Sequence, residues 1–186
     1  MGAFLMNSST SFLDALKEKF SLSKITLHEA SGDVEVFTTV ENSFEFLKEL
    51  QNNSERKFEH MADLTAYDES PKNPRFHVIY ELISMKEKHR LRVVVPVDDK
   101  KPSIKSVVSL WAGASWLERE VFDLYGIEFT EHGDLRRILL PPSFQGHPLR
   151  KDFVFDYRQE FSEESKDEAV FNPFGNTWVE NKESKK

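Results

Sequence analysis

The side chains that could do chemistry in this chain crowd into one stretch, Ser115 to Phe153, SWLEREVFDLYGIEFTEHGDLRRILLPPSFQGHPLRKDF. Glu118 or Glu120 with His132 or His147 would suffice for general acid–base chemistry. His132 and His147 with Asp134 or Asp152 offer the donor types of a metal site. Neither set has tight ligand spacing such as HExxH, and the chain contains no G-x-S-x-G, P-loop or G-x-G-x-x-G. The same carboxylates have a plainer use. Arg136, Arg137, Arg150 and Lys151 follow them closely, and arginine pairs well with carboxylates at partly buried sites. Dense charge without a nucleophile or a metal motif reads first as an ion-pair network in which Glu118, Glu120 and Asp123 receive some of these cations.

A helix must carry the carboxylates. Ser115-x-x-Glu118 predicts a capping box at its start, and Gly126 suits the left-handed residue that ends it. Trp116, Leu117, Val121, Phe122, Leu124 and Tyr125 spread round the circumference, so burial is expected over much of the helix. Arg119 and Asp123 stand at i, i+4 and can pair. PPSF (Pro141–Phe144) and GHP (Gly146–Pro148) force turns between the basic segments, which predicts a charge-stitched corner. His28, His60, His77 and His89 are isolated and receive no role.

Upstream, Phe12, Leu13, Leu16 and Phe20 at helical spacing predict a short amphipathic helix, with Thr10 or Ser11 as cap. Ile25 and Leu27, then Val34 and Val36 across a Ser31-Gly32-Asp33 turn, predict a hairpin. Asn42 with Glu45 resembles a capping box for a helix whose core stripe is Phe44, Leu47 and Leu50. Phe58 to Tyr67 reads as a strand and DESPKNP (Asp68–Pro74) as a loop. Phe76, Val78, Tyr80 and Leu82 alternate, Met85–His89 turns the chain, and Leu91, Val93 and Val95 alternate back. Helical patterns flanking sheet patterns without βα repetition favour an α+β fold, a mostly antiparallel or mixed sheet with helices packed on it. Residues 1–157 are expected to form one such domain. Residues 158–186 are expected to form an extended tail whose Phe171, Phe174 and Trp178 are candidate partner-docking anchors.

The 186 residues carry 32 acidic against 25 basic side chains, a net charge of −7 that argues against nucleic acid as partner. Cysteine is absent, which excludes disulfides, thiol catalysis and Cys-ligated clusters within this chain. No apolar run approaches the roughly 20 residues that span a bilayer. The opening MGAFLMNSSTSF is not expected to be a signal peptide, and Met6 breaks the myristoylation pattern.

LEREVFDLYGIEF, followed by HGDLRRIL and GHPLRKDF, closely resembles the signature of the C subunit of the proton-pumping NADH:quinone oxidoreductase, respiratory complex I. Glu118, Arg119, Glu120, Asp123, Gly126, His132, Arg136 and Arg137 fall on that motif in order and spacing. Gly146 to Phe153 matches a second family element and brings Gly146, His147, Pro148, Arg150, Lys151 and Asp152. Weaker likeness extends through DLTAYD (Asp63–Asp68), Arg75-Phe76 and Pro102-Ser103, so residues 58 to 153 carry it. One departure stands out: the family's usual Gly-His-Pro is Glu131-His132-Gly133 here, which leaves the turn conformation open.

The resemblance implies a chain that binds no flavin, iron–sulfur cluster or metal of its own, those cofactors belonging to the assembly. It implies a structural place in the hydrophilic arm against the D subunit and the iron–sulfur subunits, with no catalytic residues in this chain. It also implies a peripheral position on the cytoplasmic side of the inner membrane, with membrane contact only through partners. The equivalent subunit of a membrane-bound hydrogenase or formate-hydrogenlyase-type complex shares the motif and is the near alternative. A stand-alone acid–base or metal-dependent enzyme is the distant one.

Overall fold

The computed structural model describes residues 17, 19–20, 24–27, 34–53 and 57–154. The tail anchors Phe171, Phe174 and Trp178, the Ser31-Gly32-Asp33 turn and most of the expected opening helix lie outside the described residues. A five-stranded sheet runs in the order β1 (Lys24–Leu27), β2 (Val34–Phe37), β5 (His89–Val97), β4 (Phe76–Ser84), β3 (His60–Asp68). Every neighbouring pair is antiparallel except β2 with β5, so the sheet is mixed. Helix α1 (Val40–Asn52) follows β2, and helix α2 (Ala114–Tyr125) lies between two short parallel strands, β6 (Ser103–Lys105) and β7 (Glu128–Thr130). This is the expected α+β fold.

The alternation in β4 and β5 sets the core. Phe76, Val78, Tyr80 and Leu82 point to one face with Leu91, Val93, Val95 and Val97, and all are buried. Phe46, Leu47 and Leu50 of α1 and Ala114 and Val121 of α2 join the same cluster, so both helices cover the same side of the sheet. Each such large apolar side chain contributes about 1.5–3 kcal/mol on leaving water. Among the described residues no helix is long and apolar enough to cross a membrane.

Both expected capping boxes are absent, for the same reason. Thr38 N–H already bonds the Val94 carbonyl, so the chain enters α1 at Val40 with Thr39 as cap and without a side-chain cap bond. Asn42 thus falls inside the first turn and its amide donates to the Phe20 carbonyl instead. Before α2 the backbone is already turning. Ala114 N–H bonds Trp111 O and Ser115 N–H bonds Ala112 O, which satisfies early amides and releases Ser115 and Glu118 for other partners. The βα crossover formed by β6, α2 and β7 was also not expected, because three-residue strands carry too little alternation to show.

Candidate functional site

Helix α2 grips a neighbouring stretch of backbone with two side chains one turn apart. Arg119 donates from Nε to the Arg136 carbonyl and from Nη2 to the Arg137 carbonyl, both at 3.1 Å. Asp123 faces the next peptides. Its Oδ2 accepts the amides of Ile138, Leu139 and Leu140 at 3.0, 2.8 and 2.8 Å. Its Oδ1 takes Arg137 Nη1 at 2.6 Å. Burial alone would push the Asp123 carboxyl up, but the Leu140 amide, Arg137 and the Ile138 and Leu139 amides outweigh it and hold it low. The expected Arg119–Asp123 pair is therefore not formed, since each has better partners across the gap.

The same segment closes the end of α2. Gly126 ends the helix at φ +71°, and its N–H bonds the Phe122 carbonyl at 2.8 Å. The carbonyls beyond have no helical donor. Those of Asp123, Leu124, Tyr125 and Gly126 are taken by residues of GHPLRKDF, with help from Arg137. His147 Nδ1 lies 2.9 Å from Asp123 O, and Leu149 N–H bonds Leu124 O at 3.1 Å. Arg150 donates to Tyr125 O at 2.5 Å and to Gly126 O at 3.3 Å. Cations here also favour the negative end of the helix dipole. The fit is close: a Cβ at Gly126 would stand 2.5 Å from Arg150 Nη2 and from His147 Cδ2 and Nε2. Gly146, at φ +90°, lends its carbonyl to Arg137 Nη2 at 3.0 Å and leaves Phe153 room to stack on Phe144. Pro148 is half-buried beside them.

A third tie joins this corner to the sheet. Asp68, at the end of β3, accepts Arg75 Nε and Nη2 at 3.0 and 2.7 Å, and the Lys151 amide at 2.8 Å. Arg75 reaches on to Asp152 at 3.1 and 2.6 Å. The Arg75 guanidinium holds the Asp68 carboxyl far below the usual carboxylate range and lowers Asp152 as well. Arg75 and Arg150 both lie over the buried Phe76 ring, at 4.8 and 5.1 Å. Asp68 and Arg75 were missed as site residues. Their signal was there in DLTAYD and in Arg75-Phe76, but 77 residues separate Arg75 from Asp152 and no local pattern links them.

The rest of the expected carboxylate–cation network is not assembled that way. Glu118 is fully buried and takes the Val107 amide at 2.7 Å. Glu120 is exposed, and no ion pair to it is found among the described residues. Arg136 pairs locally with Asp134 at 3.0 Å. Trp116, expected to be covered, is 54% exposed, with the Arg119 guanidinium 5.3 Å from its ring centre.

The two signature histidines are engaged with the backbone. His132 Nδ1 accepts the Asp134 amide at 3.0 Å, so the proton sits on Nε2, which faces the Ser115 carbonyl at 3.3 Å and hydroxyl at 3.2 Å. An Nε2 that carries a proton cannot take one from Ser115. His147 must carry its proton on Nδ1 to meet a carbonyl, and burial lowers its basicity. Among the described residues no group of three or more His, Asp or Glu comes together as metal ligands. The open Glu131-His132-Gly133 turn is defined: Glu131 takes the left-handed conformation, φ +64°, and pairs with Lys105 at 2.9 Å. Leu139, Leu149 and Val154 also stand well exposed.

The family described as respiratory-chain NADH dehydrogenase, 30 Kd subunit, matches residues 36–159. The C subunit of the NADH-quinone oxidoreductase of Citrifermentans bemidjiense is 41% identical over 138 residues, 74% of this chain and 84% of the relative. The protein of the same name from Geobacter metallireducens is 44% identical over 139 residues, 74% and 85%. Among solved structures, a trypsin-resistant fragment of Nqo5 superposes with a TM-score of 0.59 at 30% identity, covering 68% of this chain and 98% of the fragment. A chain of an archaeal membrane-bound sulfane sulfur reductase gives a TM-score of 0.67 over 91% of this chain and 96% of its own, and its 20% identity shows the shared fold alone. The chain belongs to the 30 kDa subunit family of respiratory-chain NADH dehydrogenase, the family of the NADH-quinone oxidoreductase C subunits.

Proposed function

We propose that this chain is a cofactor-free architectural subunit of the peripheral arm of a proton-translocating NADH:quinone oxidoreductase. In this reading it holds the subunits that bear the terminal clusters and the quinone site, the D subunit among them, in the geometry electron transfer needs. The observation that carries it is how the signature charges are spent. Arg119, Asp123, Arg137 and Arg150 all bind backbone groups of this chain, which stiffens α2 and the segment joined to it, and Trp116, Leu139 and Leu149 stand exposed on those elements. Groups committed to main-chain carbonyls and amides rigidify a surface. Exposed aromatic and aliphatic side chains on a rigid support are what a partner buries. Phe171, Phe174 and Trp178 of the tail are the further anchors, and the chain sits on the cytoplasmic side of the membrane through its neighbours.

Affinity capture of the full chain from its own cells, followed by mass spectrometry, tests this. Recovery of the D subunit and the iron–sulfur subunits is expected. Hydrogenase-type partners would move the chain to the related complex, and recovery of no redox subunit would end the architectural reading.

A further inference from the structure

Glu118 is the buried carboxyl that the corner does not use. It is fully buried, its Oε1 accepts the Val107 amide at 2.7 Å, and its Oε2 is buried without a hydrogen-bond partner. The groups around it are neutral or already engaged. The segment before α2 brings the Ser106 hydroxyl and the Val107 amide, and β4 brings the Tyr80 phenol, itself buried and unpartnered. β3 contributes apolar Met61, Leu64 and Ala66, and Asp68 at its end is held by Arg75. β7 brings buried Phe129 between exposed Glu128 and Thr130. The charges that residues 132–150 lay against α2 are spent elsewhere: Arg137 on Asp123, Arg150 on Tyr125 O, Arg136 on Asp134, and His132 and His147 on backbone.

An ionised carboxylate there would lose its hydration with no cation to offset it. A neutral acid fits the site, because its carbonyl oxygen accepts Val107 N–H and its other oxygen, buried without a partner, carries a proton in place of a charge. We propose that Glu118 is a proton-dependent latch: as a neutral carboxylic acid it ties α2 to the 106–107 turn, and loss of the proton loosens that junction and the corner carried on α2. Burial pushes the group up to about 7, against partial offsets from Ser106 and Val107. Because the folded chain keeps a proton that the unfolded chain releases near 4.5, stability from this group is complete below that value and lost as pH rises towards about 7. Glu118's contribution to the folding equilibrium constant then falls about tenfold per pH unit across that window, roughly 300-fold in all, and is flat above it.

The test uses the full chain across pH about 5 to about 8, outside the acid range where Asp68 and Asp123 respond; His77 and His147, whose basicity burial lowers, add stability as pH rises in that window, so the slope is read against Glu118→Gln, which retains both. The Glu118 carboxyl carbon is followed by NMR after assignment through its own backbone resonances, and the Val107 amide by hydrogen exchange. Expected are a carboxyl resonance that titrates near neutrality and a urea midpoint that falls, relative to Glu118→Gln, between about pH 5 and 7. In Glu118→Gln, which keeps an acceptor for Val107 but cannot ionise, that fall disappears. A resonance that titrates near 4.5, or a Glu118→Gln variant with the wild-type pH slope, would overturn the latch. Should the variant not fold, the wild-type resonance decides alone.

Discussion

Replacing Asp123 by Asn keeps the shape of the side chain and removes its charge. The carboxylate now serves two sides at once, Arg137 on Oδ1 and three amides on Oδ2. An Asn oxygen can replace one of these, but its NH2 then faces either Arg137 or the three N–H groups, donor against donor. Breaking a desolvated pair costs about 3–5 kcal/mol. Arg137 keeps 18% of its side chain in solvent, so the lower end applies, about 3 kcal/mol. Asp123→Ala also strands three amides near exposed Leu139, at about 1 kcal/mol each, which brings its cost to about 6 kcal/mol. Domains of this kind hold about 5–15 kcal/mol in total, so the Asn variant folds while the Ala variant stands at the edge. Urea unfolding with the slope monitored measures the loss, and hydrogen exchange at Ile138 to Leu140 locates it. For the Asn variant about 3 kcal/mol corresponds to roughly 150-fold less protection at those amides. A variant within about 1 kcal/mol of wild type, with those amides still protected, would refute the two-sided grip.

Gly126→Ala should cost about 2–5 kcal/mol, from a left-handed backbone and a Cβ pressed on Arg150 and His147. Gly113→Ala, with nothing within 4 Å, should stay within about 1 kcal/mol, and thermal midpoints of the pair separate packing strain from simple loss of glycine. Acid should weaken the fold through the depressed carboxylates of Asp68 and Asp123. Their unfolded forms take up protons near 3.8 more readily than the folded forms, so stability is complete above that value and drops below it, by about 1.4 kcal/mol per pH unit for Asp68 and in the same direction for Asp123. Urea midpoints that rise between pH about 5 and about 3 would contradict those two sites.

The readable parts of the chain were those governed by local pattern. Strict alternation fixed the faces of β4 and β5, and Gly126 was recognisable because a left-handed residue ends a helix. What local pattern could not tell was which of two competent partners a polar side chain takes. Ser115 and Glu118 satisfy a capping-box pattern, yet the turn upstream had already supplied the backbone bonds, and both side chains went elsewhere. The signature charges suggested carboxylate–arginine pairs. Of Glu118, Glu120 and Asp123, only Asp123 follows that reading, with Arg137, because carbonyls at a helix end and unpaired amides in an irregular segment compete equally well for the same groups. The Asp68–Arg75–Asp152 tie depends on a chain reversal between distant segments, and a helix face marked apolar by Trp116 proved to point outward. Glu131 holds a left-handed conformation without being glycine, which sequence pattern did not announce.

The claim that this corner is architectural rests most directly on Arg137, which joins Asp123 at 2.6 Å to the Gly146 carbonyl at 3.0 Å. Arg137→Ala introduced into the complete oxidoreductase, with assembled complex quantified on native gels and NADH:quinone turnover expressed per assembled complex, measures the two consequences separately. The account predicts less assembled complex and unchanged turnover in what assembles. Normal assembly with collapsed turnover would contradict it.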